Sequence, residues 1–450
     1  MVETTLLKNG QVVTMDPSLG ILSPGHVLIE GSRIKYVGDK LEEIMAMGKP
    51  DTIIDIKGKV VIPGLINAHN HAYQTMLKGV MHDIPFAIWD NMYVFPLAKY
   101  MDKEATKYAG YLTMIEMLES GTTTVADTHY FHTAWNSIVG IAEAAKETGI
   151  RCILAWGIID EGAPDYIIRD PKESLNRFRD FHKKWNNAEN RRIRVDIGPV
   201  GWGMTSEETL TEVSALAKEM NLWLHTHVAG TQGSVSSIMW EKLMTEIAYM
   251  EQLELLGPRT TIAHAVWVNK SDIQIIAKRG VHVVHNPVSN MYLAFGAAPV
   301  PYMIEKGVNV ALGTDGLGSY SQDMFFVMRT ALLLHKLLSN DTGALTSEYV
   351  LKMATINAAR ALGLENKIGS ITPRKSADIV VIDMKHANTT PYLSLYPVLV
   401  HEVTPKNIDM VFVNGKLVVK DGKIITVDRE KIIEEGREIA KTLWERCNFI

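Results

Sequence analysis

Two histidines one residue apart, His69 and His71, follow an apolar run that passes through Pro63-Gly64. Residues i and i+2 of a β-strand point to the same face of a sheet, so both imidazoles face one way at the end of this run. Neutral imidazole is a common metal ligand in proteins. The spacing therefore indicates that both rings bind one metal ion, provided that the fold brings further ligands to them.

Further histidines and an aspartate close other predicted strands. His225 and His227 end the fifth strand, His264 ends the sixth, and Asp315 follows the eighth. The carboxyl ends of the strands of a parallel barrel meet at one face, where active sites are built. We therefore expect these side chains to lie near His69 and His71. His225 shares the face of His227 and is expected to support the ligands from behind.

The elements that must position these residues alternate between strand and helix. Most of the strand stretches are apolar and β-branched, which is typical of parallel strands buried on both faces. The predicted strands are 60–67, 122–127, 152–156, 195–200, 222–227, 261–264, 281–285 and 308–314. The predicted helices include 105–118, 137–146, 206–219 and 235–252. This α/β pattern predicts a (β/α)₈ TIM barrel, with a doubly wound open sheet as the alternative, although no Gly-x-Gly-x-x-Gly follows the first strand.

Both ends of the chain have short strands and turns. Residues 6–14 form a strand candidate that is broken by the hairpin-type pair Asn9-Gly10, and Asn414-Gly415 marks a hairpin near the other end. We predict that residues 1–60 and 375–430 form a composite β-sandwich domain. The barrel then spans 61–374, and 431–450 form a C-terminal helix.

Composition excludes several classes of protein. The 450 residues are 46% hydrophobic and 22% charged, with a formal net charge of −5. That balance suits a globular protein and provides no basic surface for nucleic acid. Only two cysteines occur, and no apolar run is long enough to span a bilayer. We expect a soluble cytoplasmic protein that binds a small molecule and neither nucleic acid nor membrane.

A set of motifs follows in a characteristic order. They are Pro63-Gly64-Leu65-Ile66-Asn67-Ala68-His69-Asn70-His71, His225-Thr226-His227, Ile262-Ala263-His264, His285-Asn286-Pro287-Val288-Ser289-Asn290 and Leu312-Gly313-Thr314-Asp315-Gly316. In these motifs the chain resembles the amidohydrolase superfamily, and within it the branch of adenosine-type aminohydrolases and triazine hydrolases such as atrazine chlorohydrolase. The resemblance covers nearly the whole length.

The resemblance implies one divalent metal ion per chain, held by His69, His71, His227 and Asp315. Zinc is the expected ion, and Fe²⁺ or Mn²⁺ are the alternatives. Such an ion activates water for attack on carbon. Asp315 would take the water proton and pass it to the leaving group, and His264 would orient the water or the oxyanion. Likeness to the family also favours a homo-oligomer, a dimer or larger.

Two positions depart from the family pattern. The aminohydrolases carry His-x-x-Glu after the fifth strand, where the glutamate moves a proton onto a ring nitrogen, but the matching residue here is Gly230. A histidine that contacts substrate in nucleoside-type members is replaced by Val200.

These departures leave three hypotheses for function. In the first hypothesis, Asp315 and His264 suffice as catalytic residues, and the substrate contains an amide, urea or carbamate-type C–N bond. Alternatively, the substrate is an aminated or halogenated heterocycle, such as a triazine, pyrimidine or purine, and Thr231, Gln232 or a substrate group replaces the glutamate. In the third hypothesis the chain binds metal without catalysis.

Four residues are predicted to contact the substrate. Gln74 follows His71 by three residues, and Trp89 is placed to stack on a planar ring. Gly230 leaves space for a bulkier substrate, and Asn290 lies after the seventh strand, where it either touches substrate or fixes a loop.

Overall fold

The computed structural model describes residues 2–80, 83–316 and 321–450, and its strands form two sheets. The strands are β1 Thr4–Val13, β2 Ile21–Glu30, β3 Arg33–Gly38, β4 Thr52–Asp55, β5 Lys59–Pro63, β6 Leu65–Asn70, β7 Thr122–His129, β8 Arg151–Trp156, β9 Ile193–Ile197, β10 Leu224–Val228, β11 Thr260–His264, β12 His282–His285, β13 Val310–Leu312, β14 Ile379–Asp383, β15 Ile408–Val413, β16 Lys416–Lys420 and β17 Lys423–Ile424.

Helices connect many of the strands, and one follows the last strand. They are α1 Leu41–Ala46, α2 Phe86–Trp89, α3 Phe95–Ala98, α4 Lys103–Glu119, α5 Ser137–Thr148, α6 Pro171–Trp185, α7 Ala188–Arg191, α8 Glu207–Glu219, α9 Gln232–Lys242, α10 Glu246–Gln252, α11 Lys270–Arg279, α12 Pro287–Tyr292, α13 Val300–Glu305, α14 Met324–Ser339, α15 Ser347–Met353, α16 Ile356–Ala361, α17 Leu395–His401 and α18 Arg429–Arg446. Among the described residues, no helix is long and apolar enough to cross a membrane.

The predicted barrel is confirmed. Strands β6 to β13 are parallel and lie in chain order, and every residue of β6, β7 and β8 is buried. Burial on both faces explains why these strands are rich in apolar and β-branched residues.

A short seam between β13 and β6 closes the barrel. The Asp315 N–H donates to the His69 carbonyl at 2.9 Å, and Asn70 bridges to Asp315. Side-chain amides replace a longer ladder here, because Asn67 Nδ2 donates to Thr314 Oγ1 at 2.6 Å and Asn70 Nδ2 donates to the same oxygen at 3.0 Å. The seam therefore fixes Asp315 directly beside His69.

The second sheet combines both chain ends, as predicted. Its order is β17-β16-β15-β14-β5-β1-β2-β3, with β4 paired to β1. All nine strands hydrogen-bond into one sheet. The proposed boundaries at residues 60, 375 and 430 stay predictions.

One predicted strand, 60–67, is in fact two strands in different sheets. The chain leaves β5 of the terminal sheet at Pro63 and enters β6 of the barrel at Leu65. Gly64 makes this crossing because it passes close to the neighbouring strand. A Cβ atom at Gly64 would lie 2.1 Å from Thr123 Oγ1, so no larger residue fits without a shift.

Two other local predictions were wrong. Asn9-Gly10 does not make a hairpin turn, because β1 continues through a bulge with Asn9 at φ 68° and pairs with β2 on both sides of it. The single helix predicted at 235–252 is interrupted at Leu243, which adopts φ 57°. Thr245 then caps the next helix by accepting a hydrogen bond from Ala248 N at 3.2 Å.

A buried ion pair joins the barrel to the terminal sheet and gives a first prediction. Arg151 Nε and Nη2 donate to the two carboxylate oxygens of Asp378 at 2.8 and 3.0 Å. Removing one partner of a buried pair leaves an uncompensated charge. We expect Asp378→Ala to lower the free energy of unfolding in a urea titration by about 3–5 kcal/mol.

The exposed pair of Arg177 and Glu173, which lie one helical turn apart, provides the control. Glu173→Gln should change the free energy of unfolding by less than about 1 kcal/mol, since exposed pairs contribute little. Equal effects of the two substitutions would contradict a structural role for the Arg151–Asp378 pair.

Candidate active site

Five side chains that end barrel strands converge at the carboxyl face. The ligand atoms of His69, His227, His264 and Asp315 all lie within 4.8 Å of one another. His71 joins them, because its Nε2 lies 3.2 Å from Asp315 Oδ1 and 3.1 Å from His227 Nε2. The structure thus brings together all four predicted metal ligands and both predicted catalytic residues.

Asp315 lies at the centre of this cluster. Its Oδ1 is 3.2 Å from the Nε2 atoms of both His69 and His71, and its Oδ2 accepts a hydrogen bond from Ser289 Oγ at 2.6 Å. Burial opposes ionisation, but the imidazoles of His69 and His71 hold the pKa of Asp315 well below its usual range. The carboxyl group is therefore an anion that can accept a proton or bind a cation.

Hydrogen bonds to backbone carbonyls orient two of the imidazoles. His71 Nδ1 donates to Thr128 O at 2.8 Å and His227 Nδ1 donates to Val200 O at 3.2 Å. Since a carbonyl can only accept, each Nδ1 carries a proton, so Nε2 is the atom that offers a lone pair when either ring is neutral. The two Nε2 atoms, 3.1 Å apart, then face each other with lone pairs that a cation would satisfy.

His69 provides a third unused donor atom. Its Nδ1 lies 2.7 Å from Nε2 of His225, which supports the ring from behind. Its Nε2 is buried and makes no hydrogen bond with any described residue. An orphaned buried nitrogen is costly, and three imidazoles with a carboxylate suit Zn²⁺ or a similar divalent ion. The residues therefore fit a metal ion.

His264 is held by Asn290. The Asn290 Oδ1 accepts from His264 Nδ1 at 2.8 Å, which leaves Nε2 of His264 directed at Asp315 Oδ2, 3.8 Å away. Asn290 does not lie on the wall of the adjacent cavity. Its position corresponds to the loop-fixing alternative rather than to the predicted substrate contact.

The backbone at this face is strained. Four residues that are not glycine have left-handed backbone here: Ala229 at φ 49°, His264 at φ 74°, Ala265 at φ 46° and Asp315 at φ 64°. Such conformations cost free energy and cluster at functional sites, where the surrounding structure enforces them. Their coincidence with the cluster supports the assignment of this face as the active site.

A cavity of about 170 Å³ opens from the cluster. Gln74, Trp89 and Gly230, three of the four predicted substrate contacts, lie on its wall. Aromatic rings form much of that wall, since Phe86 stacks on Trp89 with ring centroids 5.6 Å apart and meets Phe295 edge-on at 5.0 Å. Typical ligand sites measure about 300–1,000 Å³, so this cavity suits a compact, flat molecule.

Neither Thr231 nor Gln232 presents a free acidic or donor group to the cavity. Thr231 lies on the cavity wall, but its hydroxyl caps α9 by accepting from Ser234 N at 3.0 Å. Gln232 is exposed and lies off the wall.

Two carboxyl groups on the wall were not predicted. Burial raises the pKa of Asp90 to about 7. The charge of His71 opposes this rise, and the charge of Asp315 adds to it. Burial also raises the pKa of Glu246 to about 7, against hydrogen bonds from the backbone of Ala229 and Trp202. The acidic residue of Ile88-Trp89-Asp90, within a mostly apolar stretch, was a signal that could have identified the first of these groups.

An eight-stranded parallel barrel with histidines and an aspartate at its carboxyl face defines a class of hydrolase that depends on a metal ion. Residues 60–418 match the model of the amidohydrolase family. The chain belongs to this family, whose hydrolases act on carbon–nitrogen bonds.

Relatives match over almost the full length. A 5'-deoxyadenosine deaminase of Methanosarcina mazei is 35% identical over 444 residues, covering 98% of this chain and 99% of that protein. A 5-methylthioadenosine/S-adenosylhomocysteine deaminase of Thermoanaerobacter pseudethanolicus is 35% identical over 442 residues, with 98% and 99% covered.

Solved structures show the same fold. An adenosine deaminase of Xanthomonas campestris with bound zinc superimposes with a TM-score of 0.92 at 28% identity, covering 98% of each chain. The atrazine chlorohydrolase of Arthrobacter aurescens gives a TM-score of 0.90 at 23% identity, covering 97% of this chain and 100% of that chain. The second likeness is a likeness of fold alone.

Proposed function

We propose that this protein is a hydrolytic deaminase of compact, flat N-heterocycles, in which water replaces an exocyclic amino group. The observation that carries the proposal is the cavity beside the cluster, whose wall of Phe86, Trp89 and Phe295 suits an aromatic ring. The adenosine-type deaminases among the relatives support the same substrate class. An acyclic amide, urea or carbamate remains the second candidate, because Gly230 provides no carboxyl group at the family's glutamate position.

His69, His71, His227 and Asp315 would hold one divalent ion per chain, with zinc the expected ion and Fe²⁺ or Mn²⁺ the alternatives. When bound, the ion supplies a Lewis acid that makes water nucleophilic near neutral pH. Asp315, an anion at the centre of the cluster, takes a proton from the attacking water and returns it to the leaving amine. His264, held by Asn290, presents Nε2 on the Oδ2 side of Asp315, where it accepts a hydrogen bond that orients the water.

A substrate panel tests this proposal. Purified protein with zinc added would be incubated with 5'-deoxyadenosine, free adenine, aminopyrimidines and aminotriazines, and with amides, ureas and carbamates. We expect ammonia release from at least one aminated heterocycle and from none of the acyclic compounds, because the aromatic wall selects a flat ring. Turnover of the acyclic compounds alone would contradict the proposal and favour the second candidate.

Two finer properties stay predictions. We propose a cytoplasmic location and a homo-oligomer, a dimer or larger, with a small-molecule substrate as the principal partner.

A further inference from the structure

Asp90 and Glu246, the two carboxyl groups on the cavity wall that were not predicted, differ in their hydrogen bonds. Glu246 Oε2 accepts from Ala229 N at 2.7 Å, and the backbone of Trp202 donates to the same carboxyl group. These contacts tie the loop after β10 to the loop after β9. Glu246 is therefore already engaged in holding the wall together.

Asp90 has no such partners. None of the described residues donates a hydrogen bond to its carboxyl group, although that group is half-buried on the wall. It lines the same cavity as His71 and Asp315, and its charge interacts with theirs. A half-buried carboxyl group without a donor is unfavourable, and a ligand that offers a hydrogen-bonding nitrogen would relieve that cost.

The backbone holds Asp90 in this position. Residues Asp90–Val94 form one π-helical turn between α2 and α3, and such turns are frequent at functional sites. Trp89, the preceding residue, is buried and stacked on Phe86. Asp90 therefore extends from a packed segment, directly beside the ring that we expect to stack on substrate.

We propose that Asp90 is a catalytic residue that hydrogen-bonds a ring nitrogen of the substrate and gives it a proton. In this role it replaces the glutamate of the family's His-x-x-Glu motif, which Gly230 cannot provide. The inference rests on the proposed function and narrows its substrates to heterocycles with a ring nitrogen next to the carbon that bears the amine. A pKa of about 7 suits the task, since both protonation states are populated near neutral pH.

In this proposal Asp315 carries the proton of the attacking water, and Asp90 carries the proton of the ring nitrogen. Water bonds to the ring carbon and loses one proton to Asp315, while Asp90 transfers its proton to the ring nitrogen. The C–N bond then breaks, and the amino group leaves as ammonia with the proton from Asp315. The new hydroxyl becomes a carbonyl and its proton restores Asp90, so one water is consumed and one ammonia is released.

Three variants test the role of Asp90. Asp90→Asn keeps the size of the side chain and removes the proton carrier, so kcat on the best heterocycle should fall by about 10²-fold with a smaller change in KM. Gly230→Glu in the Asp90→Asn background should recover at least about tenfold of that loss, because it restores a carboxyl at the family position. A Cβ atom at residue 230 would lie 3.4 Å from the His264 ring, an ordinary van der Waals contact, so the backbone accepts a side chain at this position. Gly230→Gln in the same background is the matched control and should recover nothing.

Binding provides a second measurement. Quenching of tryptophan fluorescence by 5'-deoxyadenosine should report binding, because Trp89 and Trp202 line the cavity, and Asp90→Asn should weaken it several-fold.

Several outcomes overturn the inference while leaving the proposed function intact. These are wild-type deamination with kcat and binding retained within about threefold in Asp90→Asn, equal recovery by Gly230→Gln and Gly230→Glu, or recovery by neither. A loss in Glu246→Gln that Gly230→Glu repairs would assign the role to Glu246 instead. A wild-type protein that neither binds nor deaminates any heterocycle would overturn both the inference and the proposed function.

Discussion

Replacement of Asp315 by asparagine is expected to lower kcat by about 10⁴-fold. The amide has the shape of the carboxylate, so the contact with Ser289 Oγ can be kept, but it has no charge and accepts no proton. The substitution therefore removes the proposed acceptor of the water proton and one metal ligand together. Steady-state kinetics on the best heterocycle, with bound metal measured on the same samples, would quantify both losses.

Asp323→Asn is the matched control for this variant. Asp323 is another buried aspartate near the end of the barrel, but it caps α14 by accepting from Phe325 N at 2.8 Å and lies off the cavity wall. Asparagine and aspartate cap helices almost equally well, so kcat should change by less than about threefold. An Asp315→Asn protein that kept more than about a tenth of wild-type kcat would contradict the role of Asp315 as proton carrier.

Replacement of His264 by asparagine is expected to lower kcat by about 10³-fold. In the structure Nε2 of this imidazole lies 3.8 Å from Asp315 Oδ2, where we propose that it orients the attacking oxygen. Asparagine is too short to reach the same point.

Asn290→Ala is the companion variant. It keeps the His264 side chain but removes the hydrogen-bond acceptor that orients the ring. We expect a smaller loss in kcat, about 10- to 100-fold, as is usual for residues that orient a functional group. An Asn290→Ala protein less active than His264→Asn would contradict this order of effects and assign the larger role to Asn290.

Much of the barrel and of the cluster could be predicted from sequence. Eight buried strands are recognisable because segments such as β7 and β8 are rich in β-branched and apolar residues on both faces. His69, His71, His227 and Asp315 are recognisable as a set because strand ends in a parallel barrel meet at one face. The division of 60–67 between two sheets was missed, since the crossing at Gly64 depends on the close approach of Thr123.

The groups on the cavity wall could not be predicted in the same way. Glu246 reaches the wall because the helix ends at Lys242 and a new one begins after Thr245, whereas the apolar pattern of the sequence is continuous there. Asp90 lines the cavity from a π-helical turn that follows the packed rings of Trp89 and Phe86. Periodicity contains no information about either placement, because both depend on contacts between distant segments.

Metal-dependent hydrolytic deamination is tested most directly by a metal titration of protein from which divalent ions have been removed by a chelator. Deamination of the best heterocycle would be followed in isotopically labelled water, with product mass and ammonia measured together. We expect activity to be lost on chelation and to rise with added zinc to a plateau at one ion per chain. The product should contain one labelled oxygen for each ammonia released. Full activity in the metal-free protein, or ammonia release without labelled oxygen in the product, would contradict this mechanism.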